Sequence, residues 1–204
     1  MDLMQLLDER RSEYSLGSDT GVDPSVVEGN LRRVVRNLPS PYNSQPSRAV
    51  LVTGEDHRVL WEIVRSTLHA RMGDGDRFDT TSRKVDGFSA AAGTVMFFIV
   101  DGVTDDLIAR YPSYSGTFPV WAEQACAMMQ FAVWIALRDM GLGANLQHYN
   151  PLIDAEVHRV FGIPAGWRLV SQMPFGRIVE PAGPLEKLPP EDVLVTVHAV
   201  GSNL

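Results

Sequence analysis

The chain is poor in cysteine, with only Cys126 among its 204 residues. A lone cysteine excludes an intrachain disulfide, so nothing in the sequence indicates an oxidising compartment. The N-terminal residues carry no basic stretch leading into an apolar run and no small-residue cleavage site, which argues against a signal peptide. We therefore expect a cytoplasmic protein in which Cys126 is either a small buried hydrophobe or a redox thiol.

An excess of positive charge is also missing. The formal net charge of −7 at pH 7 excludes a broad nucleic-acid or anionic-membrane surface, although it leaves room for a local anion site. Hydrophobic residues make up 45% of the chain and charged residues 21%, which argues against a disordered or fibrous protein. No apolar run reaches the length of a membrane span. The length suits one domain, residues 1–204.

Motifs for metal binding, nucleophilic catalysis or a paired acid and base are not visible. Residues 74–79 are rich in aspartate but lack the spacing and the terminal glutamate of a calcium loop, so we expect a solvated loop and no metal site. Gly141 and Gly143 have neither a third glycine nor a preceding strand, which excludes a dinucleotide-binding fingerprint. These common motifs therefore do not reveal the function.

Hydrophobic periodicity predicts both helices and strands. The predicted helices are residues 3–10, 24–38, 56–72, 105–110, 119–140 and 151–161, with a polar, turn-rich loop at 73–88. The predicted strands are residues 48–53, 94–100, 167–175 and 193–197. The run at 94–100 is continuously apolar, which is typical of a central strand buried on both faces.

The predicted helix at residues 119–140 is apolar almost all round. We expect it inside the domain or in a subunit interface, with Gly141 as its C-terminal cap. Glu123 and Gln124 within it must find partners or reach solvent. The predicted strand at 193–197 lies beyond a tail rich in proline and glycine, so it needs a sheet edge elsewhere, such as one in a partner subunit.

Two segments have the composition of a site for a phosphorylated cofactor. Arg10, Arg11 and Ser12 offer guanidinium groups and a hydroxyl suited to phosphate, although the same residues would suit the basic end of a helix. A second segment lies between prolines that fix the backbone, as in a rigid recognition loop or an ordinary helix-to-strand turn. The candidate residues in that loop are Ser40, Pro41, Asn43 and Gln45.

The order of these segments resembles the nitroreductase superfamily of flavoenzymes. An Arg-x-Ser, a Pro-Ser-x-x-Asn-Ser-Gln-Pro loop and a Gly-Leu segment after a long helix follow one another at residues 10–12, 39–46 and 141–142. The runs similar to the fatty-acid-repression-mutant-like branch of this family are residues 121–124, 130–134, 141–151 and 172–176. Residues 73–85 and 99–102 match poorly, and the acidic pair that generally follows the family's Phe-Phe is missing.

The resemblance implies an α+β fold, a mixed sheet surrounded by helices with the long central helix at a homodimer interface. It also implies FMN as the cofactor. Arg10 and Ser12, together with Arg11, would hold the phosphate, and Lys187 stands where the family usually has a phosphate-binding arginine. The residues that would line the flavin, partly from the second subunit, are Ser40, Pro41, Asn43 and Gln45.

By the same resemblance, Gln147, His148 and Tyr149 would pass over the flavin. A backbone N–H near His148 or Tyr149 would approach N5, the atom that accepts a hydride. The His148 side chain is either a proton donor to a reduced substrate or a hydrogen-bonded structural residue.

The implied function is an FMN-dependent oxidoreductase working by a ping-pong cycle. NADH or NADPH would pass a hydride to the flavin, and an electron-poor acceptor such as a nitroaromatic or a quinone would then take it. Two alternatives stay open: a flavin dehydrogenase or reductive dehalogenase on the same fold, and a non-enzymatic flavin-binding protein in regulation or stress signalling. No nucleic acid, membrane or metal partner is expected.

Overall fold

The computed structural model describes residues 2–197. Its helices are α1 (Leu3–Glu9), α2 (Pro24–Arg36), α3 (Gly54–Met72), α4 (Asp76–Ser89), α5 (Asp101–Arg110), α6 (Phe118–Asp139), α7 (Asp154–Phe161) and α8 (Pro190–Val193). Its strands are β1 (Ser15–Gly17), β2 (Ser47–Thr53), β3 (Gly93–Val100), β4 (Leu142–Ala144) and β5 (Trp167–Glu180). The α+β class is confirmed.

One sheet separates two helical layers. Its strand order is β1-β5-β3-β2, and β4 also pairs with β5. The described strand pairs are all antiparallel, and the parallel component among residues 2–197 is the bridge between Ser12 and Ala144. Helices α2 and α6 pack on one face of the sheet, whereas α3, α4 and α7 pack on the other.

Strand β3 is buried on both faces, as its apolar run predicts. Phe97 belongs to the cluster formed with α2 and α6, while Phe98 belongs to the cluster formed with α3, α4 and α7. Both side chains are 0% exposed. Burial of each contributes roughly 1.5–3 kcal/mol to folding, so this strand anchors both layers.

Helix α6 begins with Pro119 in its first turn and ends at Asp139, and Gly141 follows in the left-handed region at φ 78°, as predicted. Its length and composition would allow a membrane crossing, so the expectation that no apolar run reaches that length was too strong. Eight of its residues are buried against the rest of the chain, as in a core helix. Glu123 pairs with Arg168 at 2.9 Å and Gln124 is exposed, so both polar residues are accommodated.

Cys126 is fully buried between α6 and the sheet. Burial raises the pKa of its thiol, which keeps the sulfur protonated. These surroundings favour the interpretation of Cys126 as a small hydrophobe over a redox thiol.

The loop predicted at residues 73–88 is wrong, because most of it forms α4. The polar composition hides a helical stripe in which Val85 and Phe88 are buried against α3. Arg65 of α3 ties the two helices together by binding Ser82 and Asp86. Tertiary packing, rather than strong local periodicity, thus determines this helix.

The strand predicted at 193–197 is also wrong. Val193 ends α8, and residues 194–197 have no regular structure. Their side chains are exposed, up to 86% for Val197. A segment rich in β-branched residues forms a strand only where it finds an edge to pair with, and these residues pair with none among residues 2–197.

Smaller differences lie at the ends of other elements. Helix α5 begins four residues before the predicted start at 105, α7 begins at Asp154 rather than at 151, and β5 continues beyond 175 to Glu180. Strands β1 and β4 were not predicted, because three residues are too few to show a periodic pattern.

His57 in the first turns of α3 is a buried titratable group. Its Nδ1 lies 3.0 Å from the Thr94 hydroxyl, which also accepts a 3.0 Å hydrogen bond from the Trp61 indole. The imidazole is 2% exposed, and burial lowers its pKa from 6.5 to about 4. The folded protein therefore holds His57 neutral near pH 5, whereas the unfolded chain would protonate it.

We expect this difference to destabilise the protein in acid. Between pH 6.5 and 4 the unfolded state binds the extra proton, so stability falls as the pH is lowered through that window. His57→Gln keeps a hydrogen-bonding side chain without titrating. Urea denaturation at pH 7 and pH 4.5 should show wild type losing about 2 kcal/mol more than this variant. Equal losses in both proteins would contradict a buried neutral His57.

Candidate functional site

The C-terminal end of α1 is fixed by two side chains of α6. Arg138 forms an ion pair with Glu9 at 2.7 Å, and the Arg10 guanidinium lies 4.7 Å from the centroid of the Trp134 ring. Neither Arg10 nor Arg11 is paired with a carboxylate within residues 2–197. Two half-buried guanidinium groups are therefore available to an anion at this end of the helix.

Residues 10–12 lead directly into contacts with the chain that follows α6. Ser12 bridges Ala144, and the Glu13 N–H donates to the Ala144 carbonyl at 3.0 Å. The Asn145 side-chain amide donates to the Glu13 carbonyl at 2.7 Å. The Gln147 amide in turn donates to the Asn145 side chain at 2.7 Å. These bonds place the predicted phosphate-binding residues beside the predicted flavin-covering segment.

Gln172 of β5 holds residues 147–149 in place through three hydrogen bonds. Its backbone N–H and carbonyl pair with Gln147 at 2.9 and 2.7 Å, and its side-chain Oε1 accepts from the Tyr149 N–H at 2.9 Å. The Tyr149 ring stands edge-on to Trp61, with 5.9 Å between ring centroids. Gln172 is 0% exposed, and its Nε2 has no hydrogen-bond partner within the described chain.

The two backbone amides proposed to face the flavin are not equivalent. The Tyr149 N–H is occupied by Gln172. The His148 N–H has no acceptor among residues 2–197, and its side chain is exposed. His148 is therefore the residue of this segment with a backbone donor free for a ligand.

The loop that contains Ser40 has a strained backbone. Tyr42, Asn43 and Gln45 all lie in the left-handed region, at φ values of 54°, 50° and 52°. The Ser40 hydroxyl holds the turn by accepting from the Gln45 N–H at 2.8 Å. The left-handed conformation costs energy for residues other than glycine, and residues strained in this way cluster at ligand-binding sites.

This loop does not join the first group of residues within one chain. Ser40, Asn43 and Gln45 line a cavity of about 490 Å³ together with Ala125 and Met129 of α6. No hydrogen bond, ion pair or ring contact in the described chain links the loop to residues 10–12 or 147–149. The predicted site residues thus form two separate groups, and Pro41 belongs to the second.

Lys187 lies on the exposed tail after β5. The tail is fixed at Ala182, whose N–H donates to the Glu13 carboxylate at 2.7 Å. Lys187 itself is exposed and has no ion pair within residues 2–197. The tether brings the start of the tail to the same place as residues 10–12.

Three residues of this region were not singled out from the sequence: Glu13, Trp134 and Gln172. Trp134 and Gln172 lie inside runs that resemble the family, but their types gave no chemical role. The sequence feature that could have pointed to Glu13 is its position directly after Ser12. Among the described residues, no group of three or more His, Cys, Asp or Glu side chains is placed to hold a metal ion.

The fold and the paired segments define an α+β protein with an anion-suited end of α1 beside a polar turn. Residues 7–177 match the model of the nitroreductase family, and the chain belongs to that family. Membership supports a flavin-dependent oxidoreductase.

Similar proteins cover most of the chain. The putative nitroreductase HBN1 of Saccharomyces cerevisiae is 32% identical over 88% of this chain and 90% of that protein. The nitroreductase FRM2 of the same yeast is 30% identical over 96% of each. The nitroreductase CinD of Lactococcus lactis, solved with chloramphenicol, is 37% identical with a TM-score of 0.89, covering 97% of this chain and 100% of that one. The expected branch is therefore confirmed.

Proposed function

We propose that residues 1–204 form one FMN-binding domain and that the protein is an FMN- and NAD(P)H-dependent oxidoreductase acting on electron-poor aromatic acceptors. The observation that carries this proposal is the hydrogen-bonded connection between residues 10–12 and 147–149. This connection sets the cationic C-terminal end of α1 beside the free backbone N–H of His148, and a phosphorylated flavin requires both kinds of group. A cytoplasmic location stays a prediction.

The residues present fit the phosphate end of FMN. Arg10 and Arg11 have no carboxylate partner among residues 2–197, so binding a phosphate would not require breaking an ion pair. Trp134 limits the freedom of the Arg10 guanidinium, which lowers the entropy lost on binding. Ser12 adds a half-buried hydroxyl, and Lys187 would add a cation from the tail.

Residues 147–149 fit the ring of FMN. When bound, FMN would supply a hydride acceptor at N5, filled from NADH or NADPH and emptied to a nitroaromatic or a quinone. Gln172 occupies the Tyr149 N–H, so we assign the contact with N5 to the His148 N–H. The exposed His148 imidazole could also deliver a proton to a reduced acceptor.

The acceptor class is inferred from a relative. CinD of Lactococcus lactis was solved with chloramphenicol, nicotinic acid and 4-nitrophenol, which are small aromatic molecules. A flat aromatic ring, which all three molecules contain, is suited to a slot above a flavin ring. We therefore propose nitroaromatics and quinones as acceptors for this chain.

The deciding experiment follows the colour of the purified protein. We expect yellow protein with flavin absorption bands that bleach under anaerobic NADH or NADPH and return when 4-nitrophenol or a quinone is added. A colourless protein that fails to bind added FMN in a fluorescence titration would contradict the proposal. Bound flavin that no nicotinamide reduces would favour the regulatory alternative, and reoxidation by neither acceptor would favour a dehydrogenase or a dehalogenase.

The phosphate assignment predicts unequal effects of the two neighbouring arginines. Arg10→Ala should weaken FMN binding by about 1.5–3 kcal/mol, or roughly ten- to a hundredfold in Kd, because a charge-assisted contact is lost. Arg11→Ala is the matched control and should have a smaller effect, since Arg11 has no counterpart of the Trp134 contact. The measurement is fluorescence titration of each apoprotein with FMN. Kd values for both variants equal to that of wild type would remove this phosphate site.

We also propose a homodimer in which each flavin is built from both chains. Four features support this proposal. The Ser40 loop lies apart from residues 10–12, Phe131 on the outer face of α6 is 46% exposed, and the tail carries exposed apolar residues such as Leu188 and Val197. Strand β2 has pairing with β3 on one side only, so its other edge could receive a strand from a partner.

Binding and assembly should then be linked. Sedimentation across a dilution series should show FMN shifting the protein toward dimer, because a ligand that binds only the assembled form stabilises it by mass action. Phe131→Arg should favour monomer and weaken FMN binding. Val160→Arg, on exposed α7 at the other face, is the control and should change neither. A monomer with full FMN affinity would refute the shared site.

A further inference from the structure

Glu13 is a buried carboxylate that connects three segments of the proposed flavin site. It follows the phosphate-binding residues 10–12 and is 5% exposed. Its backbone N–H donates to the Ala144 carbonyl, and its own carbonyl accepts from the Asn145 side-chain amide. Ala144 and Asn145 come shortly before residues 147–149, the segment proposed to contact the flavin ring. Its side-chain Oε2 accepts from the Ala182 N–H in the tail at 2.7 Å. One residue therefore fixes the relative positions of all three segments.

Gly143 shows that the Glu13 side chain occupies a fitted place. A Cβ added at Gly143 would lie 2.9 Å from the Glu13 Cβ and 2.6 Å from the Ile178 Cγ1. Such distances are well inside van der Waals contact, so only glycine allows β4 to approach Glu13 this closely. Beyond this close approach, the Glu13 carboxylate reaches the Ala182 N–H at the start of the tail.

The bond to Ala182 is important because the tail has little else to hold it. Within residues 2–197 it is the one hydrogen bond that joins residues 181–197 to the rest of the chain. Lys187 lies five residues beyond this anchor. Five extended residues span at most about 17 Å, so the tether keeps Lys187 within that radius of Ala182.

We propose that Glu13 is a positioning residue that holds the tail so that Lys187 can join Arg10 and Ser12 around the phosphate of FMN. This inference rests on the proposed function. Glu13 does not touch the cofactor; it raises the effective concentration of the Lys187 ammonium at the phosphate. Its carboxylate acts as a hydrogen-bond acceptor, so a neutral acceptor of the same shape should replace it.

The test is a double-mutant cycle on FMN affinity. Glu13→Ala and Lys187→Ala should each raise the Kd about tenfold, and the double variant should also be about tenfold weaker rather than a hundredfold. Glu13→Gln retains an oxygen for the Ala182 N–H and should bind FMN as wild type does. Ala182→Pro removes the donor from the other side of the bond, in a half-buried tail position, and should match Glu13→Ala.

Two further measurements separate positioning from general damage to the fold. In the apoproteins, the Ala182 amide should exchange slowly with solvent in wild type and Glu13→Gln, and at least tenfold faster in Glu13→Ala. Val157→Ala, a core defect on the opposite face of the sheet, should leave the FMN Kd unchanged. If Glu13→Ala does not fold, Ala182→Pro still decides the matter.

The outcomes distinguish this inference from the function on which it rests. A wild type that binds no FMN overturns both. A wild type that binds FMN, with Ala182→Pro binding equally well, overturns the inference alone. Multiplicative losses in the Glu13 and Lys187 double variant would likewise show that Glu13 does not act through Lys187.

Discussion

The pairing of β5 with its neighbours is the interaction on which the rest of the structure depends. This 14-residue strand pairs with β1, β3 and β4, and its Gln172 also pairs with Gln147. At Gly176 the β1 backbone comes so close that an added Cβ would lie 2.3 Å from the Gly17 carbonyl oxygen. Because residues 10–12 precede β1 and residues 147–149 follow β4, both proposed cofactor segments reach their places through β5.

Helix α6 also fixes the position of residues 9–10, next to the proposed cofactor-binding segments. Its inner face packs against the sheet, while Trp134 and Arg138 near its C-terminal end hold Arg10 and Glu9 of the first helix region. In a chain of net charge −7, an arginine that packs on a ring has no paired carboxylate within residues 2–197 to compete with an incoming anion. The core helix therefore determines both the packing of the domain and the local electrostatics of the site.

The sequence predicted the elements whose pattern is strong and missed those that depend on distant partners. The apolar run of β3, the length of α6 and the cap at Gly141 follow from local physics. Helix α4 was missed because its burial depends on α3, and residues 193–197 were assigned to a strand because composition does not report whether an edge is available. For the proposed site, motif order predicted Arg10 and His148, and these stay predictions. Glu13 and Gln172 act through backbone partners far away in the chain, which a motif does not contain.

The three hydrogen bonds of Gln172 have a consequence for how the protein folds. A slip of β5 by one residue would exchange its two faces and present the thioether of Met173 where the Gln172 amide stands. The Tyr149 N–H would then lose its acceptor, and the 147–149 segment would lose its support. The packing of the core and the support of the 147–149 segment therefore depend on one and the same register of β5.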